Sequence, residues 1–290
     1  MTKHHMLRTA LNGGTLFTAM AAHNPMCARL AEEAGFGGIW GSGFELSASY
    51  AVPDANILSM GTHLDMIRAM ASTVAIPIIA DIDTGFGNAV NVHYIVPQYE
   101  AAGASAIVME DKTFPKDTSL RTDGRQELVR IEEFQGKIAA ACAARRDPDF
   151  VVIARVEALI AGLGQAEALK RALAYEAAGA DAILIHSKQN TPDEILAFIQ
   201  AWSGRVPLVL VPTAYPSLTE ADIAALGKVG VVIYGNHAIR AAVGAMREVF
   251  AQIRRDGGIR QVDAGLPTVK EIIALQGDRH MREIEQAYLK

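Results

Sequence analysis

Eight short apolar runs, spaced along the chain with amphipathic segments between them, constrain the fold more than any other feature. The runs are Leu16–Ala22, Gly38–Gly43, Pro77–Asp83, Ala106–Glu110, Phe150–Val156, Ala182–His186, Pro207–Val211 and Val231–Tyr234. Each is rich in Val, Ile or small residues and ends in polar residues or glycine, as a strand buried on both faces does. The intervening segments carry helical periodicity. Ile239, Val243, Met246, Phe250 and Ile253 step by four and three, which makes one apolar helix face. Ala34-Gly35, Ala102-Gly103 and Ala178-Gly179 precede the next run, where glycine suits a left-handed helix cap. Eight strand–helix units in roughly 240 residues predict an α/β fold of the (β/α)8 TIM-barrel type. A doubly wound open sheet is the alternative, because alternation alone does not prove closure.

The chain shows no linker and no composition break, so residues 1–290 read as one barrel domain with a helical C-terminal extension from about residue 237. Within that extension, Pro267–Leu275 predicts a further helix that docks on the body or on a partner subunit. Half the residues are hydrophobic and only 20% are charged, against about 25% in an average domain, which supplies a large core and excludes disorder. Lys plus Arg number 27 and Asp plus Glu 32, a net charge of −5. That acidic balance argues against nucleic acid as a partner. No stretch of about 18 apolar residues is free of charge, Gly or Pro, so no membrane-spanning helix is expected. Lys3 followed by Leu16–Ala22 imitates a secretion signal, but Gly13-Gly14 breaks its apolar region. Cys27 and Cys142 are the only cysteines; two thiols make no disulfide framework and predict a reduced, cytoplasmic protein.

In a barrel of this kind the chemistry sits at the C-terminal ends of the strands. The third run ends Asp81-Ile82-Asp83, whose two carboxylates, two residues apart, are expected to share one face of the strand. Glu110 closes the fourth run and adds an acid at the same level. Crowded carboxylates repel unless a cation lies among them, and oxygen ligands without a His/Cys cluster favour Mg²⁺ or Mn²⁺. The fifth run ends Arg155-Val156-Glu157, either an ion pair filling the barrel mouth or an arginine that clamps a carboxylate or phosphoryl group. His186 ends the sixth run and is a candidate acid or electrostatic group. Lys188 lacks the apolar setting that a Schiff-base lysine needs. Gly41-Ser42-Gly43-Phe44 can expose backbone N–H groups to an anion, and Asp54 follows as a capping or functional acid. The polar segment 112–125 joins the fourth strand to a helix expected near Ile131. It reads as a lid or, failing that, a disordered connector.

Taken in order, these motifs resemble the phosphoenolpyruvate mutase/isocitrate lyase superfamily, in particular its phosphonate-processing branch. They are Gly41-Ser42-Gly43-Phe44, Asp81-Ile82-Asp83-Thr84-Gly85-Phe86-Gly87, Glu110-Asp111-Lys112-Thr113-Phe114-Pro115-Lys116, Ala154-Arg155-Val156-Glu157-Ala158, Ile185-His186-Ser187-Lys188 and Tyr234-Gly235-Asn236-His237. The resemblance runs from about residue 10 to residue 255. It implies Mg²⁺ held most directly by Asp81, with Asp83 and Glu110 helping partly through water. It implies that Ser42, Gly43 and Phe44 hold the substrate carboxylate. Arg155 and His186 would hold the phosphoryl group and balance its charge. Asp54 falls on the family's active-site aspartate, and Lys116 and Thr118 fall in a gating loop. The implied activity is Mg²⁺-dependent hydrolysis of the P–C bond of phosphonopyruvate. The implied assembly is a homodimer or homotetramer with a swapped eighth helix.

Two departures separate branches of the superfamily. The carbon–carbon lyases carry a Lys-(Lys/Arg)-Cys-Gly-His motif, and this chain has no cysteine there. The mutases carry Lys-Thr-Asn-Ser in the gating loop, where this chain has Lys116-Asp117-Thr118-Ser119. Threonine in place of asparagine resembles the hydrolase. Phosphoenolpyruvate mutase, an oxaloacetate-type 2-oxo acid lyase or hydrolase, and a non-catalytic binding protein are the competing expectations.

Overall fold

A computed structural model describes residues 1–121 and 123–289 of the chain. In chain order the elements are α1 Lys3–Asn12, β1 Phe17–Ala22, α2 Pro25–Glu33, β2 Gly38–Gly41, α3 Gly43–Ser49, α4 Met60–Thr73, β3 Ile78–Asp81 and α5 Ala89–Ala101. There follow β4 Ala106–Glu110, α6 Ile131–Ala144, β5 Val151–Val156, α7 Gly164–Ala177, β6 Ala182–Ile185, α8 Asp193–Ala201, β7 Leu208–Leu210, α9 Glu220–Ala225 and β8 Val229–Tyr234. The chain ends with α10 His237–Asp256, α11 Arg260–Asp263, α12 Val269–Leu275 and α13 Asp278–Tyr288. The eight strands pair in parallel and in sequence order, and β1 pairs with β8, so the sheet is a closed barrel rather than an open one. No helix among the described residues is long and apolar enough to cross a membrane. The chain divides into a unit of Met1–Ile239, which holds the barrel, and a unit of Arg240–Lys290, which holds the C-terminal helices.

Strand alternation separates two apolar layers. Ile79, Ala106, Val108, Val151, Ile153, Ala182, Leu184, Val209, Val231 and Ile233 fill the barrel interior. Ile78, Ala80, Ile107, Met109, Val152, Ala154 and Ile183 face the surrounding helices. Helix α1 adds Leu7 and Leu11 to the interior cluster and packs against β5 and β8. The same period of two, carried to the strand ends, sets the site. Two residues beyond Ile79 is Asp81, beyond Val108 is Glu110, beyond Ile153 is Arg155, and beyond Leu184 is His186. All four continue the inward-facing series, and the apolar packing below them fixes their direction.

Candidate active site

The upper end of the interior opens into a cavity lined by side chains from six strand ends and one loop. Asp81, Arg155, His186, Thr213 and Asn236 lie around it, with Lys116 and Thr118 over it. Ser42, Phe44 and Asp54 belong to the same lining. Every polar position expected from the sequence is brought to this cavity or its wall, although Asp83 arrives by another route. Strand β3 ends at Asp81, and Asp83 lies in the following turn with φ of 52°. The shared strand face expected for the two acids is therefore not what joins them. The turn folds Asp83 back until its backbone N–H donates to Asp81 Oδ1 at 3.4 Å.

The acids form the wall between β3 and β4. Gly43 packs directly on them: a Cβ built there would stand 3.0 Å from Asp83 Oδ1 and 3.6 Å from Asp81 Oδ2. Only a residue without a side chain lets the start of α3 approach so closely. The Gly43 N–H points at Asp81 Oδ2, 3.4 Å away. Burial, opposed by Lys116, pushes the Asp83 carboxyl up to about 7, and burial raises Asp81 as well. Neighbouring acids add to both shifts. Both Glu110 carboxylate oxygens are buried with no hydrogen-bond partner. Unsatisfied, crowded carboxylate oxygens are what a divalent cation would satisfy, so the donor set fits Mg²⁺. The acids are set wider than a direct three-ligand cage. Among the described residues the one group of three ligand atoms all within 4.8 Å is His23, Cys27 and Glu45. There, Glu45 already pairs with His23 and accepts the Ile239 N–H, which closes that group as an ion pair beside a buried thiol.

Lys116 reaches into the acids from the lid. Its Nζ lies 2.6 Å from Asp83 Oδ1, 2.9 Å from Asp54 Oδ1 and 4.0 Å from Glu110 Oε1. Although burial opposes it, this ring of carboxylates holds the ammonium pKa well above its ordinary value. Asp54 is thus a charged partner of Lys116 and caps no helix. Asn56, which sequence reasoning missed, ties the same corner together. Its side chain donates to Asp83 Oδ2 at 2.9 Å and accepts the Lys116 backbone N–H at 2.7 Å. Its φ of 56° is a conformation that asparagine tolerates; a lone polar residue in a loop carries no spacing signal.

The opposite wall is cationic. Arg155 donates from Nε to Glu157 Oε1 at 2.6 Å and lies 3.4 Å from Glu110 Oε2. The ion-pair reading of Arg155 and Glu157 is what the structure shows, and the pair turns the guanidinium into the cavity. A second guanidinium nitrogen lies 2.8 Å from His186 Nδ1. The same Nδ1 lies 3.1 Å from Glu157 Oε1, so the imidazole edge is held between the guanidinium and the carboxylate. Burial and the neighbouring Arg155 both lower the His186 pKa. Burial notwithstanding, Arg155, Lys112 and His186 hold the Glu157 carboxyl well below the usual range.

The lid, residues 112–130, is ordered against this wall. Lys112 bridges to Leu128 in antiparallel fashion, and Thr113 N–H donates to the Glu127 carbonyl at 3.0 Å. The Phe114–Pro115 peptide is cis. Gln126 donates to the Thr118 carbonyl at 3.1 Å, and α6 begins at Ile131 as expected. Thr122 lies outside the described residues. Lys188 is exposed, and neither Cys27 nor Cys142 lines the cavity.

Residues 7–254 match the phosphoenolpyruvate phosphomutase family. The chain belongs to that family. It is 83% identical to a phosphonopyruvate hydrolase of Variovorax sp. (strain Pal2), over 100% of both chains. It is 43% identical to a phosphoenolpyruvate phosphomutase of Tetrahymena pyriformis, over 99% of this chain and 95% of that one. A crystal structure of a phosphonopyruvate hydrolase in complex with oxalate and Mg²⁺ superimposes with a TM-score of 0.96, at 80% identity, covering 100% of both chains.

Proposed function

We propose that this chain hydrolyses the P–C bond of phosphonopyruvate to pyruvate and phosphate and that it uses Mg²⁺. One observation carries the reading. A cluster of buried acids with unsatisfied oxygens faces, across one cavity, an arginine paired with a histidine. The full-length likeness to a phosphonopyruvate hydrolase, and that enzyme's complex with oxalate and Mg²⁺, support it.

Asp81, with Asp83 and Glu110 partly through water, would hold the metal. Bound there, Mg²⁺ supplies positive charge for the ketone and carboxylate oxygens of the substrate. Ser42, Gly43 and Phe44 hold the carboxylate at the start of α3. Arg155 and His186 hold the phosphoryl oxygens. The P–C electron pair passes to carbon, leaving pyruvate as its enolate. The phosphoryl group leaves through a loose transition state in which its oxygens keep most of the charge, and Arg155 offsets that charge. Water forms the new bond to phosphorus, and the enolate carbon takes up a proton. Asp54, charge-paired with Lys116 on the same cavity, is placed to orient that water or accept its proton.

Thr118 is the residue that decides hydrolysis over isomerisation in this reading. Its side chain is shorter than asparagine and leaves room for one water under the lid. A phosphorus NMR time course with phosphonopyruvate and Mg²⁺ tests the whole. Phosphate is the expected product; phosphoenolpyruvate would make the chain a mutase, and no phosphorus product would overturn both. Thr118→Asn is expected to lower hydrolysis by about 10-fold or more, the scale of one misplaced reactant, and an unchanged rate would refute its role. We further propose that the C-terminal helices associate with a second copy, since Phe250, Val269 and Tyr288 are 65%, 75% and 78% exposed. The net charge of −5 and two unpaired, half-buried cysteines fit a cytoplasmic enzyme.

A further inference from the structure

Ser119 lies next to Thr118 in the lid and is 5% exposed, in a slot between Arg155 and Glu157. Its hydroxyl donates to Glu157 Oε2 at 2.5 Å. It accepts from Lys112 Nζ at 2.7 Å and from the Arg155 guanidinium at 2.9 Å. A serine hydroxyl has one proton and two lone pairs, so all of its hydrogen-bonding capacity is spent on these three partners. Lys112, 1% exposed, is equally committed. Its ammonium also donates to the Asp117 carbonyl at 2.8 Å and lies 3.3 Å from Glu157 Oε2. Neither residue retains a donor or acceptor for substrate, yet both connect the lid to the group that faces the phosphoryl end of the cavity.

The consequence lies in how Arg155 is held. The guanidinium nitrogen that bonds His186 is the one that bonds Ser119. With the lid withdrawn, that nitrogen keeps only His186, and Glu157 loses a donor. With the lid down, the nitrogen also donates to the Ser119 hydroxyl, which fixes its plane. We propose that Ser119 and Lys112 form a latch by which lid closure sets the orientation of Arg155, so that sealing the cavity and completing the phosphoryl clamp are one event. Both are positioning residues, and their role rests on the proposed hydrolysis.

The test uses the full-length protein with Mg²⁺ and phosphonopyruvate and reads two quantities. The first is turnover. Ser119→Ala is expected to lower kcat by about 10- to 100-fold, the loss of one buried hydrogen bond to a charged group, with KM changed much less. Ser119→Thr, which keeps the hydroxyl, is expected to restore most of kcat. The second is the rate of tryptic cleavage after Arg125, an exposed lid residue, measured without substrate; it is expected to rise about 10-fold in Ser119→Ala as the lid opens more often. Lys112→Met is expected to move both quantities in the same directions. Faster cleavage with unchanged kcat, or lower kcat with unchanged cleavage, would overturn the latch. An inactive wild-type protein would overturn the hydrolysis reading alone, because the cleavage comparison needs no turnover.

Discussion

His63 is a residue whose setting the strand pattern does not announce. It lies on α4, 5% exposed, with Nδ1 2.8 Å from the Tyr99 hydroxyl. Burial pushes its pKa down to about 4, with a backbone hydrogen bond to Gly41 opposing and the Lys116 charge adding to the fall. The unfolded chain binds that proton near pH 6.5 while the folded chain does not. Stability is therefore fully present above pH 6.5 and is lost as the pH falls from 6.5 towards 4. About 2.5 pKa units at 1.36 kcal/mol each make this an effect of about 3 kcal/mol. Denaturant titrations at pH 7, 6 and 5 are expected to show this fall, and His63→Gln is expected to flatten it. Equal slopes in both proteins would count against a buried neutral His63. The residue also holds the Gly41 carbonyl, just before the Ser42-Gly43-Phe44 turn, which ties α4 to the site.

At the scale of elements, the strands act as rulers. In β3, β4, β5 and β6 the inward series of apolar residues continues into one polar residue at the site, so the barrel layers that stabilise the fold also aim it. The N-terminal end carries stability without chemistry. Leu7 on α1 is fully buried in the interior cluster, far along the strands from the acids and Arg155. Leu7→Ala is expected to cost about 2–5 kcal/mol of unfolding free energy through the cavity it leaves, with kcat at 25 °C unchanged. A loss of kcat in the folded variant would mean that the two ends of the barrel are coupled. The lid is the element that departs from regular structure, and its backbone is satisfied by Asp117, Asn56 and Gln126 instead of a ladder.

At the scale of the molecule, the two units differ in how they treat apolar surface. The barrel unit exposes some large apolar side chains, among them Ile57, Val90 and Tyr94, whereas the far shorter stretch of α10, α12 and α13 leaves Phe250, Val269, Ile273, Met281 and Tyr288 in solvent. Five such side chains on three helices exceed what isolated exposed residues account for. Sedimentation of the protein at micromolar concentration is expected to give a dimer or larger species, and Phe250→Glu to shift it towards the monomer. A monomer in both cases would refute self-association through these helices.

The sequence by itself determined the eight strand–helix units, and the pairing of β1 with β8 closed them into a barrel. Strand limits fell within about two residues of the apolar runs, and Gly35, Gly103 and Gly179 take φ of 90°, 91° and 107° at the expected caps. Those features follow from local periodicity and from glycine's freedom, which neighbours in the chain fix. It likewise determined which residues reach the cavity, because Asp81, Glu110, Arg155 and His186 each end a strand whose parity is local. Tertiary structure decided how they meet. Asp83 joins Asp81 through a turn instead of a shared face, Lys116 sits among the acids, and His186 lies between Arg155 and Glu157. Ser119, Lys112 and Asn56 gained their roles only when the lid folded back on β3 and β5. A hydrogen bond between residues 36 or 60 positions apart leaves no period in the sequence, so only the closed barrel with its lid in place could assign it.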